Sequence, residues 1–253
     1  NVPPVALALA KHPLVDNFDL SFIEQINSAA APLGADVAEA MGARLGTNAT
    51  QGYGMTELSP VSHISPQGKG RPGASGVAIS NTESRIVSPE TGADLPPGED
   101  GELWVRGPQV MKGYLNNPQA TAETIVEGGW LRTGDIGHFD EDGYLYVTDR
   151  LKELIKYKGF QVAPAELEAE ILTHHEIADV AVIGFPDDEA GEVPMAFVVP
   201  APGSTPTLET LQGYLDGRLS HYKQVRKIEV VSEIPKSASG KILRRLLRDK
   251  VGA

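Results

Sequence analysis

Apolar positions in this chain change their spacing along its length. Val37, Ala38, Met41 and Leu45 recur at helical intervals and predict a short helix over 37–45. A short strand and a glycine-rich turn then present residues 51–57. Between 75 and 146 the apolar residues fall into brief runs, 84–87, 101–105 and 143–147, separated by Pro, Gly and Asp. That spacing predicts a small β-barrel or sheet, not alternating strands and helices. Pro89-Glu90-Thr91-Gly92 and Asp140-Glu141-Asp142-Gly143 carry residues that make turns between such strands.

After Arg150 the pattern becomes mixed. Residues 152–160 predict a hairpin closed near Tyr157-Lys158-Gly159. Ala163-Pro164-Ala165-Glu166 opens a helix that runs to Thr173, with proline in its first turn. Strands are predicted at 179–183, 195–199 and 227–231, and helices at 208–219 and 241–250. Such a mixture over about 100 residues makes one small α+β domain. The boundary falls at 149–152, giving an α/β and β-barrel region over 1–149, the barrel about 75–149, and a small domain over 150–253.

Composition narrows the class. With 41% hydrophobic and 22% charged residues the chain is an ordinary globular one. It has no apolar stretch long enough to span a bilayer and no opening signal peptide, so a cytoplasmic location is expected. The absence of cysteine excludes disulfides and thiolate chemistry. Net charge is −12, and it is uneven: residues 1–149 hold 8 Lys and Arg against 19 Asp and Glu, residues 150–253 hold 14 against 15. An acidic chain is a poor binder of nucleic-acid phosphates. The lysines of the second region cluster at two motifs; as individuals, most read as solvated surface charges.

Four segments carry the chemistry. They are Gln51-Gly52-Tyr53-Gly54-Met55-Thr56-Glu57, then Thr133-Gly134-Asp135, then Asp149-Arg150-Leu151-Lys152-Glu153-Leu154-Ile155-Lys156, then Pro235-Lys236-Ser237-Ala238-Ser239-Gly240-Lys241. Each combines glycine with a hydroxyl, a carboxylate or a lysine, the groups that hold a nucleotide, a metal ion and a developing negative charge. Thr56 suits a phosphate contact. Glu57 suits Mg²⁺, a hard cation that takes oxygen ligands and shares them with substrate phosphates. Gly52 and Gly54 let the backbone approach the ligand closely. Read singly, each has a plain alternative: a glycine-rich turn for 51–57, an Asx-turn for Asp135, a domain-linking ion pair for Arg150, a solvated loop lysine for Lys241. His12, His63, His138, His174, His175 and His221 have no metal-site spacing.

In this order the four segments resemble those of the adenylate-forming enzymes, which include acyl-CoA synthetases, firefly-type luciferases and peptide-synthetase adenylation domains. The likeness is to 4-coumarate–CoA ligases and their bacterial relatives in particular, and it covers residues 3–245. It implies ATP, Mg²⁺ and CoA as cofactors and a small carboxylic acid as substrate, aryl-propenoic or medium-chain. It implies that the fold is the C-terminal part of a large AMP-binding domain followed by a small mobile domain. The family's phosphate-gripping loop, a Ser/Thr/Gly-rich run ending in Pro-Lys-Gly, does not occur here, and the chain starts at Asn1. The expectation is therefore a C-terminal piece, inactive alone, whose partner is the preceding part of the same enzyme; a homodimer stays open.

The resemblance also assigns roles. Lys241, in a loop expected to be mobile, is the adenylation lysine. Lys152 is the hinge, and Lys156 enters the site in the second step. Lys158, Gly159 and Gln161 follow the ligase pattern of the hairpin. Asp135 accepts the ribose hydroxyls and Arg150 contacts ribose or phosphate. Gln51, Gly52, Tyr53, Gly54 and Thr56 face the nucleotide. Ser28-Ala29-Ala30-Ala31-Pro32-Leu33-Gly34 resembles the adenine- and acyl-facing segment, so Ala30, Ala31 and Pro32 join the site; Ala29 stands where family members often have glycine. Two rivals within the superfamily remain, a luciferase-like oxygenase and a peptide-synthetase adenylation domain. The ending Val-Gly-Ala, which lacks a Ser-Lys-Leu address, speaks against the first. The rival from another class is a non-catalytic module that binds nucleotide or a partner.

Overall fold

In a computed structural model that describes residues 1, 3–29, 35–237 and 240–252, the chain divides into two units, Asn1–Val147 and Thr148–Ala253. The first unit begins with α1 (Pro3–Lys11), a 3-10 turn (Pro13–Asn17), β1 (Gln25–Ser28) and α2 (Ala35–Leu45). β2 (Asn48–Gly54), β3 (Val61–Ile64) and β4 (Val77–Ala78) follow. The four strands form one sheet in the order β1-β2-β3-β4, the first pair parallel and the others antiparallel. α2 lies between the two parallel strands in sequence. Its Met41 is fully buried with Ala6 and Ile26, and Val37, Ala38 and Leu45 flank them as their helical spacing predicts.

The second sheet of this unit contains β5 (Glu83–Val87) and β6 (Gly101–Arg106). It also contains β7 (Ile125–Val126), β8 (Trp130–Phe139) and β9 (Leu145–Arg150), whose last residues belong to the second unit. The order is β5-β6-β8-β7, with β9 also on β8; among the described residues these pairings close no ring. α3 (Pro118–Thr124) precedes β7; the Asn117 side chain caps it and Pro118 occupies its first turn. Ile86, Leu103, Val105, Leu131 and Leu145 are buried together with Tyr53 and Leu58 from the motif segment. The core of this sheet therefore seats the end of β2.

The second unit is a sheet covered on both faces. β10 (Ile155–Tyr157) and β11 (Phe160–Val162) form a hairpin, and α4 (Pro164–Leu172) follows. Next come β12 (Ile177–Asp187), β13 (Gly191–Pro200), α5 (Leu208–Leu215), β14 (Lys227–Val230) and α6 (Arg244–Val251). The sheet order is β11-β10-β13-β12, with β14 parallel to β13. Val180 and Val182 face Leu167 and Ile171 of α4 and Leu211 and Leu215 of α5. The alternate residues Ala181 and Ile183 face Leu247 of α6. Burial on both sides is why 180–183 reads as an unbroken apolar run.

Several boundaries differ from the sequence expectation, each for a local reason. Residues 51–54 belong to a strand, not a turn. The hairpin starts at Ile155 because residues 151–153 form a turn of their own. α5 stops at Leu215, short of 219, where Asp216 turns extended and Gly217 takes φ 74°. α6 starts at Arg244 because Lys236 and Ile242 pair as an isolated bridge before it. No helix among the described residues is long and apolar enough to cross a membrane.

Candidate active site

In the first unit, two motifs far apart in sequence meet through one hydrogen bond. The Tyr53 hydroxyl donates to Asp135 Oδ2 at 2.6 Å, and both residues are buried. β2 aims Tyr53, and β8 aims Asp135 by a bulge. Trp104 pairs with Arg132 and Glu102 with Ile136, so residues 133–135 stand opposite Leu103 alone. Gly134 takes φ 69°, a conformation that suits glycine. Thr133 Oγ1 donates to Leu103 O at 2.7 Å and accepts from Asp135 N at 3.1 Å. The buried Glu102 completes the bulge: its carboxylate accepts from Gly134 N, Trp104 Nε1 and Arg132 Nε. Thr133-Gly134-Asp135 is thus a rigid strand feature and not an Asx-turn.

The glycines of the first motif answer to protein neighbours. A Cβ on Gly54 would fall 1.9 Å from Pro60 O, and one on Gly52 3.2 Å from His63 O. The close approach there is to the adjoining chain of the same unit. Thr56 and Glu57 begin a 3-10 turn (Thr56–Leu58) anchored by buried Leu58. Thr56 is exposed. Glu57 Oε1 accepts from the Tyr114 hydroxyl at 2.7 Å, while Oε2 has no protein donor among the described residues. Beside them His63 is buried between the Ser62 and Ser84 hydroxyls, and burial pushes it down to about 4, so it is neutral. Ala30, Ala31 and Pro32 lie outside the described residues.

In the second unit the lysines are presented, not enclosed. Lys156 is exposed on β10 opposite Gln161, and its amide donates to Glu192 Oε2 at 2.8 Å. Lys158 and Gly159 close the hairpin with φ of 48° and 85°, the two positive values of a two-residue turn. The Lys158 ammonium pairs with Glu189 at 2.6 Å, which raises its pKa, though the pair is exposed and screened. Arg150 ends β9, and its carbonyl accepts from the amides of Glu153 and Leu154, so Lys152 sits inside a closed turn. Before it, the buried Asp149 carboxylate accepts from Ala165 N at 2.9 Å and Arg150 N at 2.6 Å; burial raises its pKa against both bonds. Lys241 is exposed at the end of a reversal in which Ser237 N donates to Lys241 O and Lys241 N to Ser237 Oγ. Lys236 pairs with Asp179 at 2.6 Å.

Sequence comparison decides the family. The model of the AMP-binding enzyme family matches residues 1–115, and that of the AMP-binding enzyme C-terminal domain matches residues 166–241. The chain belongs to the AMP-binding enzyme family. A 4-coumarate–CoA ligase 1 from Solanum tuberosum is 50% identical over 258 residues, covering 100% of this chain and 47% of that protein. ATP-bound MatB from Rhodopseudomonas palustris superposes with a TM-score of 0.84 at 36% identity, over 88% of this chain and 44% of that one. The o-succinylbenzoate CoA synthetase of Bacillus subtilis, solved with its acyl-adenylate intermediate, gives 0.84 at 32% identity, over 98% and 50%. The chain spans about half the length of the relatives it matches.

For an AMP-binding enzyme the donor set is informative. Among the described residues no group of three or more His, Asp or Glu is placed to hold a metal. A single carboxylate with one oxygen to spare still fits Mg²⁺, which keeps several waters and is held through one or two carboxylates plus phosphate. Two residues that shape the site escaped the sequence reading. Glu102 left a signal, an acid in the apolar run Gly101-Glu102-Leu103-Trp104-Val105. Tyr114 left none, since its contact with Glu57 spans 57 positions.

Proposed function

We propose that this chain is part of an AMP-forming acid–CoA ligase acting on an aryl-propenoic acid such as 4-coumarate, with a medium-chain fatty acid as the second candidate. The observation that carries the reading is the Tyr53–Asp135 hydrogen bond, which joins the Gln-Gly-Tyr-Gly and Thr-Gly-Asp motifs at one place. The names of the relatives support the acid and the thiol.

The first half-reaction is attack of the substrate carboxylate on the α-phosphorus of ATP, with pyrophosphate leaving. Two anions must be brought together, so charge must be neutralised and geometry held. Asp135 receives the ribose hydroxyls on a rigid bulge. Thr56 contacts the α-phosphate, with Gln51 and the glycines alongside. Glu57 Oε2 would hold Mg²⁺, which screens the phosphate charge when bound. Lys241 bridges carboxylate and α-phosphate as a point charge, and Arg150 contacts ribose or phosphate. In the second half-reaction the CoA sulfur attacks the acyl carbonyl and AMP leaves. The second unit then presents Lys156 with Lys158, Gly159 and Gln161, after turning about Lys152.

The test uses the full-length protein that carries this sequence. Acid-dependent ATP–pyrophosphate exchange is measured with 4-coumarate and with C6–C10 fatty acids, then thioester formation with CoA. Exchange with 4-coumarate followed by CoA-dependent release of AMP supports the reading. Exchange with none of these acids, or adenylate formation that CoA never discharges, refutes it; oxygen consumption instead identifies the luciferase-like alternative.

A further inference from the structure

Glu57 is held by a segment far away in sequence. Its carbonyl accepts from Met111 N at 2.8 Å and its Oε1 from the Tyr114 hydroxyl at 2.7 Å. The segment making both contacts is itself fixed. Gly113 has φ 148°, and a Cβ there would lie 2.7 Å from Thr121 Cγ2, so the chain passes close against α3. Tyr114 N donates to Thr121 Oγ1 at 2.9 Å, Asn117 N donates to Tyr114 O at 3.2 Å, and Asn117 caps α3. A phenol has one proton and an ionised carboxylate only accepts, so Tyr114 donates to Glu57.

We propose that Tyr114 is a positioning residue that holds Glu57 Oε1 and so turns Oε2 toward the ATP phosphates and their divalent cation. The proposal rests on the role given to Glu57 above. The anchoring is redundant, by main chain at Met111 and by side chain at Tyr114, which fixes the backbone and the carboxylate plane separately. A carboxylate preorganised in this way loses little freedom when it takes its ligand.

The experiment measures metal binding and not turnover. Mn²⁺ is titrated into the full-length protein with α,β-methylene-ATP present, and bound metal is read from the loss of the free-Mn²⁺ electron paramagnetic resonance signal. Tyr114→Phe keeps the ring and removes the hydroxyl; it raises the Mn²⁺ dissociation constant about five-fold, the effect of one lost hydrogen bond. Analogue affinity in EDTA and thioester formation from preformed acyl-adenylate stay at wild-type values, whereas a merely loosened fold would lower both. Wild-type Mn²⁺ affinity in Tyr114→Phe overturns the proposal, as does a parallel loss in the metal-free assays. Glu57→Gln separates the two ideas: if it loses Mn²⁺ while Tyr114→Phe does not, only the positioning role falls, and if both bind like wild type, the reading of Glu57 falls as well.

Discussion

Asp135 is 6% exposed, sits on a bulge braced by Glu102, and meets Tyr53 at 2.6 Å, whereas Lys156 and Lys241 stand exposed on a hairpin and a reversal held by main-chain bonds. The first arrangement suits a group that must present fixed acceptors to a bound nucleotide. The second suits groups that arrive, act and leave. Charge divides along the same line, since residues 1–149 carry nearly all of the net negative charge. An acidic unit is poorly matched to a polyanion until cations are supplied; under the function proposed above, Lys156 and Lys241 would supply them. Positional precision is therefore expected from the first unit and charge delivery from the second.

The largest effect that would break this comparison is at Lys241. In the full-length protein Lys241→Ala lowers acid-dependent pyrophosphate exchange by about 10³-fold, the loss typical of one donor aimed at transition-state charge. Alanine keeps the main-chain bonds of residue 241 to Ser237, so melting temperature changes little, and thioester formation from preformed adenylate persists. Equal loss in both half-reactions would make Lys241 a structural residue.

Next in size is the Glu168–Arg244 pair of the second unit. Arg244 donates to both oxygens of Glu168 at 2.7 Å and to Val182 O at 3.1 Å, tying α6 to α4 and β12. Glu168→Ala leaves the partly buried Arg244 with only Val182 O and costs up to about 3 kcal/mol, read as a lower denaturation midpoint of the second unit. Burial pushes the Glu168 carboxyl from its usual 4.5 up to about 7, against the pull of Arg244 and with Asp149 adding to the rise. Because the folded value is the higher one, the folded chain binds the extra proton. That stability is fully present below pH 4.5 and is lost as pH rises through 7. Glu168→Gln, which carries no titrating proton, flattens the fall; an unchanged slope would place the titration elsewhere.

Where the sequence was legible, local chemistry decided the outcome. The helix at 37–45, the proline-led α4 and the Lys158-Gly159 turn each follow from residues within a few positions of one another. α3 was missed, although Asn117-Pro118 is a local helix-start signal. β8 was missed because its middle looks like a turn: Thr133-Gly134-Asp135 is a bulge only by virtue of Glu102 on the neighbouring strand. The Tyr53–Asp135 and Tyr114–Glu57 contacts span 82 and 57 positions, and no periodicity encodes them. The motif residues could be listed from sequence; what holds each of them still could not.

A third effect concerns delivery. The turn at Lys152 is closed by the amides of Glu153 and Leu154 on Arg150 O, so proline at 152 removes neither bond. It fixes φ there and restricts Leu151 as well. Lys152→Pro lowers thioester formation by on the order of 10²-fold, as misplacement of a reacting group does, with adenylation nearly unchanged. Single-turnover measurement of each half-reaction checks this. A fall in adenylation alone would move the pivot away from Lys152.

The smallest effect tests the rigid side. Tyr53→Phe keeps the ring in the core with Leu58 and Leu103 and removes only the donor to Asp135 Oδ2. A hydrogen bond to a charged group is worth about 1.5–3 kcal/mol, part of which is recovered if water reaches the freed oxygen. Nucleotide binding should therefore weaken by about tenfold, measured by calorimetry with ATP and with 2′-deoxy-ATP. If Tyr53 aims Asp135 at the ribose, the preference for ATP over the deoxynucleotide shrinks in the variant, because a misaimed carboxylate rewards the missing hydroxyl less. A weaker but equally selective variant would mean that the bond supports the fold without aiming the site. The rigidity of the first unit would then be a property of its core, and the contrast with the exposed lysines would concern burial alone.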